Sequence, residues 1–405
     1  MRLPYVPNSM QMDRLGTNIY FGSPHELMIY STSSNAVSKQ DTGAPGVVLA
    51  VAPNSSQLLI NDQLRQVFYL YSPTAGITAA FGGVGNAAAY TPDSKTLYIT
   101  DSAALGSPHT DTLYVYNVNT GWSTYPLAAS GSATLNPYGA QNLALTITGV
   151  GAFLSGDPTV AHTWCPTGTV GDAASLLYYP QTPPNNSVDV ATDVLAATTD
   201  GNHILGASLT GTNISLSDIG VSIPSLNCLP PDASPNYPLA LGDTFSPLAL
   251  ATTMSQSPVT ANAVAVNQVV PSPNSNLAFI TYSPATTANI TSLPYYVPGT
   301  GVSYVTLGGS EASSITAPIA GAFSPDSSYF FVSTAGDDMV HYISIPTVVT
   351  PSTPPVDTQQ ISPNLTSCIS VANGGTDAGC MYSGPQPGTA VVPATNIEVK
   401  PRATT

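Results

Sequence analysis

Ala322-Phe-Ser-Pro-Asp-Ser-Ser-Tyr-Phe-Phe-Val-Ser-Thr334, followed by Val340-His-Tyr-Ile-Ser-Ile345, is the stretch whose reading decides the fold. Pro presets φ, and an Asp or Asn after it bonds the backbone two residues on, so Ser-Pro-Asp-Ser marks a tight turn between two apolar strands. The same phrase recurs. Ala89-Tyr-Thr-Pro-Asp-Ser-Lys-Thr-Leu-Tyr-Ile-Thr100 leads to Leu113-Tyr-Val-Tyr116 and Asn119-Thr-Gly121. Val51-Ala-Pro-Asn-Ser-Ser-Gln-Leu-Leu-Ile60 leads to Phe68-Tyr-Leu-Tyr71, and Val270-Pro-Ser-Pro-Asn-Ser-Asn-Leu-Ala-Phe-Ile280 leads to Pro294-Tyr-Tyr-Val297. Weaker copies are Thr199-Asp-Gly-Asn-His-Ile-Leu-Gly206, Leu143 to Leu154 with Leu176-Leu-Tyr-Tyr179, and Asn18 to Tyr30. The second strand of each unit is thereby predicted to begin near residues 27, 57, 97, 152, 203, 277 and 329.

These strands are apolar nearly throughout, as expected when both faces of a sheet are covered. A unit of three or four strands cannot cover both faces of itself; stacking units around a ring does so and shortens exposed edges. The chain therefore reads as all-β, a seven-bladed β-propeller of four-stranded antiparallel blades over residues 1–350, with a short Pro/Ser/Thr-rich C-terminal extension. Residues 351–388 read as a linker or elaborated loop. Residues 389–405, with Ala390-Val-Val-Pro-Ala-Thr-Asn-Ile-Glu-Val-Lys400, read as a closing strand or the start of a further domain. A string of immunoglobulin-like sandwiches is the rival architecture; it accommodates short strands but leaves the recurring Pro-Asp-Ser turn without a reason.

The Ser-Pro-Asp-Ser turn and the segment Tyr114-Val-Tyr-Asn-Val-Asn-Thr-Gly121 resemble the YVTN/lactonase-like and WD40-like propeller repeats over roughly residues 18 to 350. The resemblance implies a propeller fold and leaves function open, because such propellers host hydrolases, oxidoreductases and pure binding scaffolds. Lactonase-like activity is associated with His, Arg and acidic residues converging on a central channel. No Arg lies from residue 66 to 401 of this chain.

Composition bounds the function. The 405 residues are 42% hydrophobic but only 7% charged, against about 25% charged in an average soluble protein. Net charge is −15, and no Lys or Arg lies between Lys95 and Lys400. Phosphate recognition leans on those two residue types, so nucleic acid is excluded as a partner, and phosphorylated metabolites and anionic membranes are disfavoured. The acidic, charge-poor balance suits an exported protein, extracellular, at a cell surface or periplasmic; Met1-Arg2-Leu3-Pro4-Tyr5 carries no signal peptide, and the chain is read as part of a longer exported protein. No apolar run approaches the roughly 20 residues that span a bilayer. Four cysteines are read as two disulfides, Cys368–Cys380 across a short Gly-rich loop and Cys165–Cys228 between adjacent units.

In a four-stranded blade the a–b and c–d turns share one end, and the b–c loops and d–a connections share the other. The b–c loops vary most: Ser102 to Asp111, Ser155 to Ala174 and Ser283 to Leu293, with the connection from Pro224 to Ala261 on the same end. Long loops on a rigid frame are where ligands meet a protein. The candidate binding residues there are His109, Asp111, Asp157 and His162. Asp337 and Asp338 are candidates for calcium, whose ligands are hard oxygens; no other cofactor is expected. Asp93 and Asp326 have a sufficient reason in their turns, and His203 and His341 in strand packing. No Gly-x-Ser-x-Gly elbow is present. The chain thus reads as a monomeric, non-enzymatic binding or surface scaffold for a protein or glycan. The alternative is a divergent lactonase-like or glycan-processing hydrolase using carboxylates and a metal on the b–c end.

Overall fold

The computed structural model describes residues 3–102, 105–110, 112–126, 143–145, 152–154, 162–164, 176–178, 193–210, 213–221, 239–248, 263–284, 292–308, 317–363 and 396–400. Among the described residues all regular structure is strand, arranged as seven four-stranded antiparallel sheets, each made of strands consecutive in sequence. The first sheet is β1 (Ser9–Met12), β2 (Asn18–Gly22), β3 (Leu27–Ser31) and β4 (Ala36–Asp41); the second is β5 (Val47–Val51), β6 (Leu58–Asp62), β7 (Val67–Ser72) and β8 (Gly76–Gly82). The third is β9 (Ala87–Tyr90), β10 (Thr96–Asp101), β11 (Thr112–Asn117) and β12 (Gly121–Pro126). The fourth is β13 (Leu143–Leu145), β14 (Ala152–Leu154), β15 (His162–Trp164) and β16 (Leu176–Tyr178). The fifth is β17 (Val194–Ala197), β18 (His203–Thr210), β19 (Asn213–Val221) and β20 (Leu239–Leu248). The sixth is β21 (Ala263–Pro271), β22 (Ala278–Pro284), β23 (Ser292–Val297) and β24 (Gly301–Thr306); the seventh is β25 (Ala317–Phe323), β26 (Tyr329–Ala335), β27 (Val340–Ser344) and β28 (Val356–Ile361). The first strands of successive sheets touch, β1 with β5, β5 with β9, and so on to β21 with β25.

Successive side chains of a strand point to opposite faces, so an apolar strand can serve two neighbours. Leu58 and Ile60 of β6 pack with Tyr20, Leu27 and Ile29 of the first sheet. Leu59, between them, packs with Tyr90, Leu97 and Ile99 of the third. In β22, Ala278 and Ile280 meet Leu205, Ile214 and Leu216 of the fifth sheet, while Phe279 meets Phe323, Phe330 and Val332 of the seventh. Phe279 and Phe330 stack with ring centroids 4.3 Å apart. The continuous apolar runs of these strands are explained: β6 and β22 each belong to two cores.

Second strands begin at residues 58, 96, 152, 203, 278 and 329, each within a residue of expectation. The first unit is the exception. Its second strand is β2, starting at Asn18, and Leu27 opens the third strand. The a–b turn there is Asp13-Arg14-Leu15-Gly16-Thr17, with Gly16 at φ 64°. It has no Pro, and Ser23-Pro24 sits in the b–c loop instead, which moved the sequence reading by one strand. The fourth unit shifts too: β15 is its third strand and β16 its fourth, so His162 lies in a strand rather than a loop. The expected connection from Pro224 to Ala261 contains β20. Of the expected linker 351–388, Val356–Ile361 is β28, the outermost strand of the seventh sheet. Its sequence, Val-Asp-Thr-Gln-Gln-Ile, is exposed except at Asp357 and mostly polar, the pattern of an edge strand with one ladder to make, which reads like a loop in sequence. Residues 396–400 are not a strand; they lie against the first sheet.

Candidate functional site

The two ends of the sheets are built differently. At the turn end, one network repeats. The residue two before the turn Asp or Asn lends it a hydroxyl: Thr91 to Asp93 at 2.7 Å, Ser272 to Asn274 at 2.7 Å and Ser324 to Asp326 at 2.7 Å, each across a Pro, and Thr198 to Asp200 at 2.6 Å, across Thr199. The same hydroxyl oxygen accepts the N–H five residues on, of Thr96, Leu277, Tyr329 and His203. The bond from Thr91, followed by that from the Lys95 N–H, holds the Asp93 carboxyl below its ordinary pKa. Asp93 and Asp326 are therefore consumed by their turns.

The serine after that Asp or Asn has positive φ, at Ser55, Ser94, Ser275 and Ser327. Such a backbone favours Gly over a side chain. Three of these serines use the hydroxyl to reach the preceding sheet: Asn54 N–H donates to Ser94 Oγ at 3.0 Å, Asp200 N–H to Ser275 Oγ at 3.0 Å, and Asn274 N–H to Ser327 Oγ at 3.2 Å. A second link repeats in the third strands. Tyr71 donates to Asp41 of the preceding sheet at 2.9 Å, and Tyr296, at the same position of β23, donates to Asp218 at 2.5 Å. Asp218 is 3% exposed and takes His203 Nδ1 on its other oxygen at 2.6 Å.

The b–c end has no repeated network, but the loops of the first three sheets share a device: a buried acceptor at or just after the end of the second strand gathers the loop's donors. Asp101, the last residue of β10, is 1% exposed. Its Oδ1 accepts Ser102 N–H at 3.0 Å and His109 Nδ1 at 2.5 Å; its Oδ2 accepts Thr110 N–H at 2.7 Å and the Thr110 hydroxyl at 3.1 Å. A carboxylate partner makes Nδ1 the donor, which leaves Nε2 as the acceptor of a neutral ring. Asp62, the last residue of β6, accepts Arg65 N–H at 3.0 Å and its guanidinium at 2.5 Å. In the first sheet Ser23 plays the part, accepting Glu26 N–H at 2.9 Å and donating to Glu26 O at 2.7 Å. Burial raises the Glu26 carboxyl above its ordinary pKa, against a smaller lowering by His25.

With the donors drawn inward, the tips present apolar side chains. Leu64 is 91% exposed and Leu105 41% exposed, on the b–c loops of adjacent sheets. Beneath the second loop, the buried Asn61 bonds Val67 O, Gly83 O and Gly85 N–H, fixing the connection between the second and third sheets. Gly85 is obligatory there, since a Cβ would stand 2.5 Å from Ile99.

Of the sequence candidates, His109 sits on this end and is paired with Asp101. Asp111 and Asp157 lie outside the described residues, as do Cys165, Cys228, Cys368 and Cys380. His162 is placed by backbone only, in β15. Asp337 and Asp338 lie in the b–c loop of the seventh sheet. The Asp337 carboxylate takes the Thr334 hydroxyl, Met339 N–H at 3.3 Å and His341 Nε2 at 3.2 Å. Burial, then the neighbouring Asp337 charge, pushes Asp338 up. His341 is fully buried and gives Nδ1 to Asp357 at 2.7 Å. Burial alone would lower the imidazole pKa; the bonds to Asp337 and Asp357 outweigh it and raise it to about 9. Among the described residues no group of three or more His, Cys, Asp or Glu is arranged to hold a metal ion.

Sequence reasoning missed Asp62 and Asp101. The signal was available: Leu58-Leu-Ile-Asn-Asp62 and Thr96-Leu-Tyr-Ile-Thr-Asp101 both end an apolar strand on Asp, and a charge there needs local donors.

No protein-family model matches this chain, and no curated protein matches it. Among solved structures, it is similar to the β-propeller domain of Cps50 (Swd1) from Myceliophteria thermophila, at 12% identity and TM-score 0.53, over 83% of this chain and 95% of that one. It also matches hydrazine synthase of Kuenenia stuttgartiensis at 12% identity and TM-score 0.43, over 85% of this chain and 78% of that one. The first likeness and the stacked four-stranded sheets establish a β-propeller fold. No helix among the described residues is long and apolar enough to cross a membrane.

Proposed function

We propose that the chain is an exported seven-bladed β-propeller of the YVTN-like kind that acts as a non-enzymatic binding scaffold, with the b–c end as its contact face. One observation carries the reading: the buried carboxylates of that end, Asp62 and Asp101, are spent on holding their own loops, while Leu64 and Leu105 are held out to solvent above them. Pre-shaped loops with outward apolar side chains suit recognition of a protein, because little loop ordering remains to be done on binding. The seven consecutive sheets and the sheet-to-sheet bonds of the turn end supply the rigid frame.

The test compares the immobilised chain with Leu64→Asp/Leu105→Asp and with Leu15→Asp, a 68% exposed turn-end control. Each is presented with the extracellular fraction of the source culture. A specific protein retained by the parent and by Leu15→Asp, but lost from the double variant, is the expected result. Equal retention by all three overturns the assignment of the face, and turnover of lactones or esters overturns the non-enzymatic reading.

A second reading rests on the Asp101–His109 pair, which orients an imidazole with Nε2 as acceptor, the arrangement that serves a general base or a metal ligand. Under it, the protein is a hydrolase working with a divalent transition metal on the b–c end, held in part by the His109 imidazole. A thermal shift in zinc reversed by EDTA, and removed by His109→Ala, would favour it.

A further inference from the structure

We infer that residues 396–400 are a strap that fastens the C-terminal part of the chain to the first sheet and holds that sheet in the assembly. Among the described residues every sheet is composed of four consecutive strands, and none is completed by a strand from the other end of the chain. Among the described residues the first sheet's inner strand, β1, has β2 as its one ladder partner. In an antiparallel pair, alternate residues turn their N–H and C=O away from the partner. Asp13 N–H bonds Asn18 O at 3.0 Å, so Gln11, opposite Tyr20, also faces β2, and Met10 directs its carbonyl to the free edge. That carbonyl accepts Asn396 Nδ2 at 3.0 Å, across 386 residues of sequence.

The second fastening lies at the turn end of the same sheet. Lys400 Nζ donates to Thr32 Oγ1 at 3.2 Å. Thr32 in turn joins the c–d turn to the a–b turn: its hydroxyl donates to Gly16 O at 2.7 Å and its N–H to Thr17 O at 2.9 Å. Between the two fastenings the side chains alternate. Asn396, Glu398 and Lys400 are exposed and Ile397 and Val399 half-buried, the pattern of an extended segment with one side on protein. Lys400 is also the first basic residue after Lys95, which singles it out in a chain so poor in cations.

A sheet held in this way opens more easily when the strap lets go, and local opening is read by amide hydrogen exchange. The experiment uses the full chain and its Asn396→Ala/Lys400→Met variant. The Asp13 and Thr32 amides, bonded within the first sheet, are expected to exchange about tenfold faster in the variant, the loss corresponding to about one hydrogen bond. The Thr91 and Ser272 amides, in the third and sixth sheets, are expected to be unchanged. Asn396→Gln/Lys400→Arg, which keeps a donor at both positions, is expected to restore most of the protection. Unchanged exchange at Asp13 and Thr32 overturns the strap. So does acceleration of equal size in all sheets, which would mark a general loss of stability.

Discussion

The turn end and the b–c end of this molecule are made from the same strands, yet only one of them repeats. At the turn end, four units place the same hydroxyl, carboxylate or amide at the same step, and three pass a hydrogen bond to the sheet before them. At the b–c end the described loops differ in their acceptor, whether Ser23, Asp62, Asp101 or Asp337, and the loop of the third sheet, from residue 102 to 111, is longer than the others. The repeated end solves one problem many times, namely fixing each sheet at a set offset from its neighbour. The varied end is released from that task, which is what a recognition surface requires.

That contrast can be broken most strongly at the shared core. Phe330→Ala opens a cavity at the packing of the sixth and seventh sheets and should cost about 3–5 kcal/mol in denaturant unfolding. A smaller loss would mean that the sheets do not bury each other. The next effect belongs to pH. The imidazole of His341 titrates near 6.5 when unfolded and near 9 when folded. A folded pKa above the unfolded one stabilises the protein fully below about pH 6.5, and that stabilisation fades as pH rises toward 9. The stability of the parent relative to His341→Gln should therefore fall by about 3 kcal/mol between those two values. A difference that stays constant with pH would contradict the paired, charged imidazole.

Finer differences separate the two ends. Tyr296→Phe leaves Asp218 short of a donor and should cost about 1–2 kcal/mol. Ser275→Ala keeps the unfavourable positive φ and loses the bond to Asp200 N–H, for about 1 kcal/mol. Ser275→Gly loses the same bond but relieves the backbone, so it should cost less than the alanine variant. Alanine and glycine costing the same would deny the serine its role between sheets. Smallest of all, Leu64→Asp should shift stability by less than about 0.5 kcal/mol while abolishing retention of a partner.

Much of the frame was legible because its signals are local. Ser-Pro-Asp-Ser announces a turn through Pro φ and the Asp carboxylate, and apolar runs on either side announce strands covered on both faces. Where a turn is made by other means, the reading slipped: Asp13 to Thr17 does the same work with Gly16 and no proline, and the first unit was placed a strand too late. β28 was passed over because an edge strand of half-buried Asp and exposed Thr and Gln has no apolar signature. The b–c end was legible only as a location. Its organising contacts join residues such as Asp101 and His109 through the shape of one loop, and no spacing rule announces them. The links between sheets, Ser275 to Asp200 or Tyr296 to Asp218, span 75 and 78 residues and are invisible to any local pattern.

Electron-microscopy class averages of the full chain viewed down the axis test the central claim most directly. The account predicts seven radial densities of equal depth around a central axis, with no wide gap between the first and the last. Two or more separate two-sheet bodies joined by thin density, or a row of sheets that does not turn back on itself, would contradict it.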